Sequence, residues 1–364
     1  MNINRILLFV VFLLCGITQK FNAQTEDSSK IILITVDGFR WQELFKGADK
    51  DLISNNLYVQ NPDQLKDNFW DETVFERRKK LMPFVWNSVN EIGQIHGNRL
   101  FGSKMNLTNE YWFSYPGYNE ILTGEADKKI QSNNKINNPN KTILELANNH
   151  PDYKGKVGAF GSWDVFPFII NEERSGVKVN AGFKMAEGVD LTSKEKFLNG
   201  LQTKIPKPWY SVRHDAFTHY YALEYMRRVH PNLIYIAYGE TDDFAHDDNY
   251  EAYLKSAHTT DSFIKEIWEF VESDPFYKGN TTLIITTDHG RGTKPIDKWT
   301  AHGKDIIGAD QVWVIAFGKG VRPTGEIKVQ EQLYSNQIAA SIAELLNIEV
   351  DKTRVGVKFE FIAN

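Results

Sequence analysis

Among 364 residues there is one cysteine, Cys15, and it lies in an apolar amino-terminal run. A chain with no second thiol forms no internal disulfide and no multi-thiolate metal site, so stability must come from a packed core and any ions it holds. Positive charge is not in excess either: 42 Lys and Arg face 47 Asp and Glu, a net charge of −5. Neutralising a phosphate backbone needs a basic surface, so a nucleic-acid polymer is not an expected partner. No apolar run reaches the ~20 residues that cross a bilayer comfortably. Internal repeats and low-complexity tracts are missing as well. What is present, 41% hydrophobic residues over 364, is enough for one large core or two modest domains.

The amino terminus has the pattern of a secretory signal. Met1 to Arg5 is a short basic start, Ile6 to Cys15 is apolar, and Phe21-Asn22-Ala23 places a small residue at a cleavage position. A lipoprotein signal would need a small residue before Cys15, and Leu14 stands there. Residues 1–23 are therefore expected to leave, with Cys15, and 24–364 to form a single catalytic domain. Arg5 and Lys20 leave and no acid does, so −5 becomes −7. The mature protein is expected to be exported, periplasmic or secreted, with no membrane span.

Four aliphatic stretches end in polar residues. IILITV ends at Asp37-Gly38, KVGAF at Gly161-Ser162-Trp163-Asp164, the run from Leu233 to Ala237 at YGETDDFAHDD, and the run from Leu283 to Ile285 at TTDHG. Continuous apolar runs belong to strands covered on both faces, hence an α/β fold with a mostly parallel sheet between helical layers. In such sheets ligands bind beyond the carboxyl ends of the strands. Helices are expected over 75–92, 216–229, 250–271 and 332–346, a further strand over 312–317, and insertions covering the site at about 47–98 and 167–212.

Asp37, Asp242, His246, Asp288, His289 and His302 mostly follow these strands. Carboxylate and imidazole suit Zn²⁺ or Mn²⁺, and six such ligands suffice for two three-ligand sites with positions open to substrate. Asp242 and His246, four apart, share a face if one helical turn follows the strand. Ser114 lies on a loop entering a helix and is the candidate nucleophile, needing a base or a metal to become an alkoxide. Taken alone, Asp37-Gly38 reads first as a turn and Ser114 first as a helix cap, and only the whole set favours the site.

In order along the chain, VDGF, SYPGYNEILTG, the Asp-x-x-x-His loop, DHG and a final HG resemble the alkaline phosphatase superfamily, most closely its nucleotide pyrophosphatase/phosphodiesterase-like branch. The resemblance covers nearly all of the mature chain and implies a three-layer α/β/α fold with an inserted cap. It implies that Asp37, Ser114, Asp288 and His289 surround one divalent ion and Asp242, His246 and His302 another, with zinc expected and manganese as the alternative. It also implies phosphoester hydrolysis through a phosphoserine on a small-molecule substrate.

Departures bear on the substrate. Gly117 stands where the phosphodiesterase branch has an asparagine that holds a phosphoryl oxygen, with Asn119 as a substitute. The Lys-x-Arg of certain phosphomonoesterases is replaced by Ser162-Trp163-Asp164, and Arg291 and Lys304 are the cations that could compensate. The missing cation leans the reading towards diesters. A sulfatase needs Cys or Ser-x-Pro-x-Arg, and here Tyr118 occupies the arginine position. Export and a shorter chain argue against a phosphoglycerate mutase. The alternative from another class is a non-catalytic, metal-stabilised module binding a glycan or lipid headgroup through Trp163, Trp209 and Tyr210.

Overall fold

A computed structural model describes residues 29–351 and 355–362. The proposed signal and Cys15 lie outside them. Eleven strands are formed among the described residues: β1 Lys30–Val36, β2 Gly93–His96, β3 Ser103–Asn106, β4 Val157–Gly161, β5 Lys178–Ala181, β6 Leu233–Tyr238, β7 Thr281–Thr286, β8 Gln311–Val312, β9 Val314–Gly318, β10 Gly325–Glu326 and β11 Glu331–Tyr334. Eight make one sheet in the order β10-β2-β9-β7-β1-β6-β4-β5, and β11-β3-β8 make a small second one. The large sheet is parallel except for β9, which runs against both β7 and β2.

Alternation along β1 shows why its run is unbroken. Ile32, Ile34 and Val36 face one core with Leu254, Ile264 and Ile267 of the helix Tyr250–Ser273. Ile31 and Leu33 face the other, with Tyr118 and Leu122 of the helix Ser114–Thr123 and Ile338 and Ile342 of the helix Gln337–Leu345. Both faces are dry, as expected of a sheet between two helical layers.

Several boundaries differ from the sequence reading. The helix expected over 75–92 stops at Leu81, and a π-helical turn follows at Val85–Val89. Met82 precedes Pro83, which disfavours the helical conformation before it, and Asp261 takes the freed N–H groups of Phe84 and Val85 at 2.7 and 2.9 Å. Residues 47–98 are not merely an insertion: Leu52, Leu65, Leu81 and Val85 are core, and β2 is a strand of the main sheet. The 167–212 segment likewise supplies β5, the edge strand beside β4. The expected 312–317 strand is split at Trp313. The carboxyl-terminal helix begins only at Gln337, because Glu331–Tyr334 pairs with β3 instead.

Candidate metal centre and nucleophile

Three adjacent parallel strands, β7, β1 and β6, end together, and each delivers a carboxylate. Asp37 follows β1 directly, Asp288 comes two residues after β7, and Asp242 sits on the short helix Glu240–His246 that follows β6. That helix puts His246 one turn from Asp242, with Nε2 3.2 Å from Asp242 Oδ2. His302 arrives on the loop after β7, its Nε2 3.0 Å from His246 Nε2 and 3.8 Å from Asp242 Oδ1.

His289 stands between the two halves. Its Nδ1 is 2.9 Å from the Gly290 carbonyl, which turns Nε2 towards Asp37 Oδ1 at 3.3 Å, Asp288 Oδ2 at 3.5 Å and Asp242 Oδ1 at 3.7 Å. The rings of His289 and His302 stack with centroids 4.0 Å apart. Ligand atoms of Asp37, Asp288 and His289 lie within 4.8 Å of one another, and so do those of Asp242, His289 and His302.

Ser114 opens the buried helix Ser114–Thr123, and its Oγ is 3.4 Å from His289 Nε2. Helix amino termini favour anions. Gly117 of this helix packs directly on Asp288, whose main-chain carbonyl would overlap any Cβ at that position. An asparagine therefore does not fit there unless Asp288 shifts. Gly38 has a comparable role at φ +58°: its N–H holds Asp288 Oδ1 at 3.0 Å, and a Cβ would lie 2.6 Å from Asp242 Oδ1.

The electrostatics ask for added positive charge. Burial and then the Asp242 charge raise the Asp37 carboxyl; burial and then Asp37 raise that of Asp288 well above the usual range. Burial opposes protonation of His289, yet Asp288, Asp37 and Asp242 together lift it to about 9. Burial also pushes Asp242 up, but Arg291 and His246 overcome it and hold that carboxyl well below the usual range. His302 is held low by burial and by His289. Asp37 Oδ1, Asp288 Oδ2 and His302 Nδ1 are buried without a hydrogen-bond partner. Nearly all buried polar atoms in folded proteins have partners. Unmatched carboxylate oxygens converging with imidazole nitrogen are a donor set that fits divalent metal ions.

The substrate-binding candidates fare differently. Asn119 is fully buried and its amide is committed, donating to Glu125 O at 2.8 Å and accepting from Asn138 and Asn140 at 3.0 and 3.2 Å, so it does not replace the missing phosphoryl contact. Arg291 is not a surface charge: it is fully buried, donates to Thr300 O, and pairs with Asp242. Its place is beside the candidate ligand Asp242. Lys304 is exposed. Trp163 is half-buried at the end of β4, bridged to Val212 and edge-on to Phe166. Trp209 donates to Asp247 Oδ2 at 2.8 Å and packs on Phe244, so it braces the helix that carries Asp242.

Tyr118 escapes a reading by motifs. Its hydroxyl donates to Asp37 Oδ2 at 2.7 Å from a fully buried position. The signal was its place four residues after Ser114, one turn along the same helix. Thr241 is the other omission, donating its hydroxyl to the Asp37 carbonyl at 2.5 Å.

A family model described as Metalloenzyme superfamily matches residues 215–350, the stretch that carries Asp242, His246, Asp288, His289 and His302. Wild-type alkaline phosphatase PafA superposes with a TM-score of 0.61 at 9% identity, covering 93% of this chain and 99% of that one. The chain thus has the fold of alkaline phosphatase PafA, and its 215–350 stretch is similar to the Metalloenzyme superfamily. Lipoteichoic acid synthase LtaP from Listeria monocytogenes is similar over 92% of this chain and 76% of its own, with a TM-score of 0.58 at 10% identity. A 2-O GAG sulfatase is similar over 91% and 73%, with a TM-score of 0.56 at 12% identity. No curated protein sequence matches. The names of these neighbours include both a phosphatase and a sulfatase, and identities this low carry the fold and not the substrate.

Proposed function

We propose that this chain is a member of the alkaline phosphatase superfamily and an exported hydrolase of phosphoric esters, with diesters favoured over monoesters, holding two divalent ions and using Ser114 as nucleophile. The observation that carries this reading is the position of Ser114: its hydroxyl opens a buried helix 3.4 Å from His289 Nε2, beside carboxylates with unmatched oxygens. Asp37, Asp288 and His289, with Ser114, would hold one ion; Asp242, His246 and His302 would hold the other. Such ions, Zn²⁺ or Mn²⁺ by donor type, would when bound stabilise the serine alkoxide and the charge on the leaving oxygen.

Ser114 Oγ attacks phosphorus in line, the P–O bond to the leaving group breaks, and a phosphoseryl group forms. Water then attacks the same phosphorus, the P–Oγ bond breaks, and the serine regains its proton. Tyr118 keeps Asp37 oriented through both steps. The preference for diesters is supported by charge. Lys135 does reach the end of β4, but its Nζ is 2.7 Å from Asp164 Oδ2 and that carboxylate neutralises it. Arg291 is likewise paired with Asp242, so neither cation is left for the second negative charge of a monoester. Export rests on the 1–23 pattern; among the described residues no helix is long and apolar enough to cross a membrane.

Ser114→Ala should lower hydrolysis of chromogenic phosphodiesters by about 10⁴-fold or more while metal content stays that of the wild type. Unchanged turnover would refute the mechanism. Faster hydrolysis of a sulfate ester than of either phosphoric ester by the metal-loaded wild type would replace the substrate class.

A further inference from the structure

Two helices begin side by side above the sheet, and each caps the other. Asp215–Val229 has no side-chain cap at His214, and Glu240–His246 has none at Gly239. Asp215 makes good the second lack by accepting the N–H groups of Gly239 at 2.8 Å and Glu240 at 3.1 Å. Glu240 makes good the first, accepting the Asp215 N–H at 3.2 Å and lying 2.9 Å from His214 Nδ1. Orphan N–H groups at a helix start need such partners.

The Asp215 carboxylate is itself held from behind. Ser162 Oγ donates to it at 2.5 Å and lies 2.7 Å from Thr218 Oγ1, which accepts from Arg213 Nε at 2.9 Å. Ser162, Thr218 and Arg213 are fully buried, so the cap has a fixed footing. The helix it caps has only seven residues, too short to persist on its own backbone hydrogen bonds. That helix carries both Asp242 and His246.

We propose that Asp215 is a positioning residue for the Asp242–His246–His302 half of the metal centre, setting the direction of the ligand-bearing helix and thereby that half's affinity for a divalent ion. It acts less on the Asp37–Asp288–His289 half, whose ligands hang from β1 and the loop after β7 and meet that helix through the Thr241 hydroxyl on the Asp37 carbonyl. This inference rests on the two-ion reading above. Partners that orient metal ligands from outside typically contribute 10- to 100-fold in affinity.

The test is calorimetric titration of the metal-free protein with Zn²⁺, with circular dichroism as the check on folding. Wild type should show two binding steps, and the step lost in His246→Ala identifies the Asp242 half. Asp215→Asn keeps the size but turns an amide N–H₂ towards a backbone N–H; it should weaken that step by about 10- to 100-fold and move the other by less than twofold. Ser162→Ala, which leaves the carboxylate but removes its support, should weaken the same step by less. Both steps unchanged, or both weakened equally as a general loss of structure would produce, overturns the inference. Should Asp215→Asn fail to fold, Ser162→Ala decides by the same criterion. A wild type that takes up fewer than two ions overturns the two-ion reading as well, whereas two wild-type steps with an indifferent Asp215→Asn overturn this inference alone.

Discussion

Two regions of this molecule bury carboxylates, and they treat them in opposite ways. Glu120 and Asp261 are closed hydrogen-bond clusters. Glu120 takes the N–H groups of Thr108 and Asn109 and the Asn109 amide at 2.8 to 3.0 Å, and Asp261 takes two main-chain N–H groups with one oxygen each. Asp37 and Asp288 lie just as deep, yet each leaves one oxygen unmatched. Burial raises the carboxyl in all four. Charge buried without full compensation costs stability, and a fold keeps it where the site itself uses it. The closed clusters hold the chain together, and the open pair is where a ligand is needed.

The largest effect that would break this contrast is expected at Asp288→Asn. On the two-ion reading, removing this ligand should cut turnover by about 10³-fold or more, the several kcal/mol a bound cation contributes to the transition state. The metal-free protein should be no less stable than wild type, because the substitution relieves repulsion from Asp37. A urea titration in chelator checks this. Clear destabilisation of the metal-free form would mean that Asp288 is a structural acid like the other two.

Asp261→Ala should do the reverse. Phe84 and Val85 would each keep a buried N–H without an acceptor, and the two together should cost about 3 kcal/mol in the same titration. Turnover by the folded, metal-loaded enzyme should stay within about twofold, because the residue sits on the helix Tyr250–Ser273 and supports the turn at Val85. A loss of turnover as large as that of Asp288→Asn would erase the distinction between the two regions.

The division also explains what was legible in the sequence. Asp37, Asp242 and Asp288 could be placed because unbroken aliphatic runs announce strands, and residues after such runs must gather at one end of a parallel sheet. Ser114, His246, His289 and His302 followed from motif order. The supporting contacts could not be read this way. Tyr118 on Asp37, Gly117 against Asp288 and the Asp215 cap on Gly239 join segments 81, 171 and 24 residues apart. Their residue types have no periodic or local signature. Asn119 shows the opposite failure: it is a polar residue close to the nucleophile in sequence, but helix geometry turns it into the protein to meet Asn138 and Asn140. The break at Leu81 was half legible. Pro83 is visible in the sequence, whereas the Asp261 carboxylate that rewards the break lies 177 residues away.

The smallest expected effect sharpens the contrast through pH. Burial lifts the Asp261 carboxyl from 3.8 to about 6, against the lowering effect of its two N–H bonds. The folded state therefore holds this proton more tightly than the unfolded chain does. Between those two values the native protein carries the extra proton, so Asp261 makes stability fall as pH rises through that window. Below it the carboxyl is neutral in both states, and above it the full cost, on the order of 3 kcal/mol, is present. Asp261→Asn stays neutral throughout and keeps one acceptor. Stability measured in chelator from pH 4 to pH 7 should therefore decline less steeply in the variant than in wild type. Parallel curves would show that Asp261 is ionised in the fold across the whole range, with its two N–H groups outweighing burial.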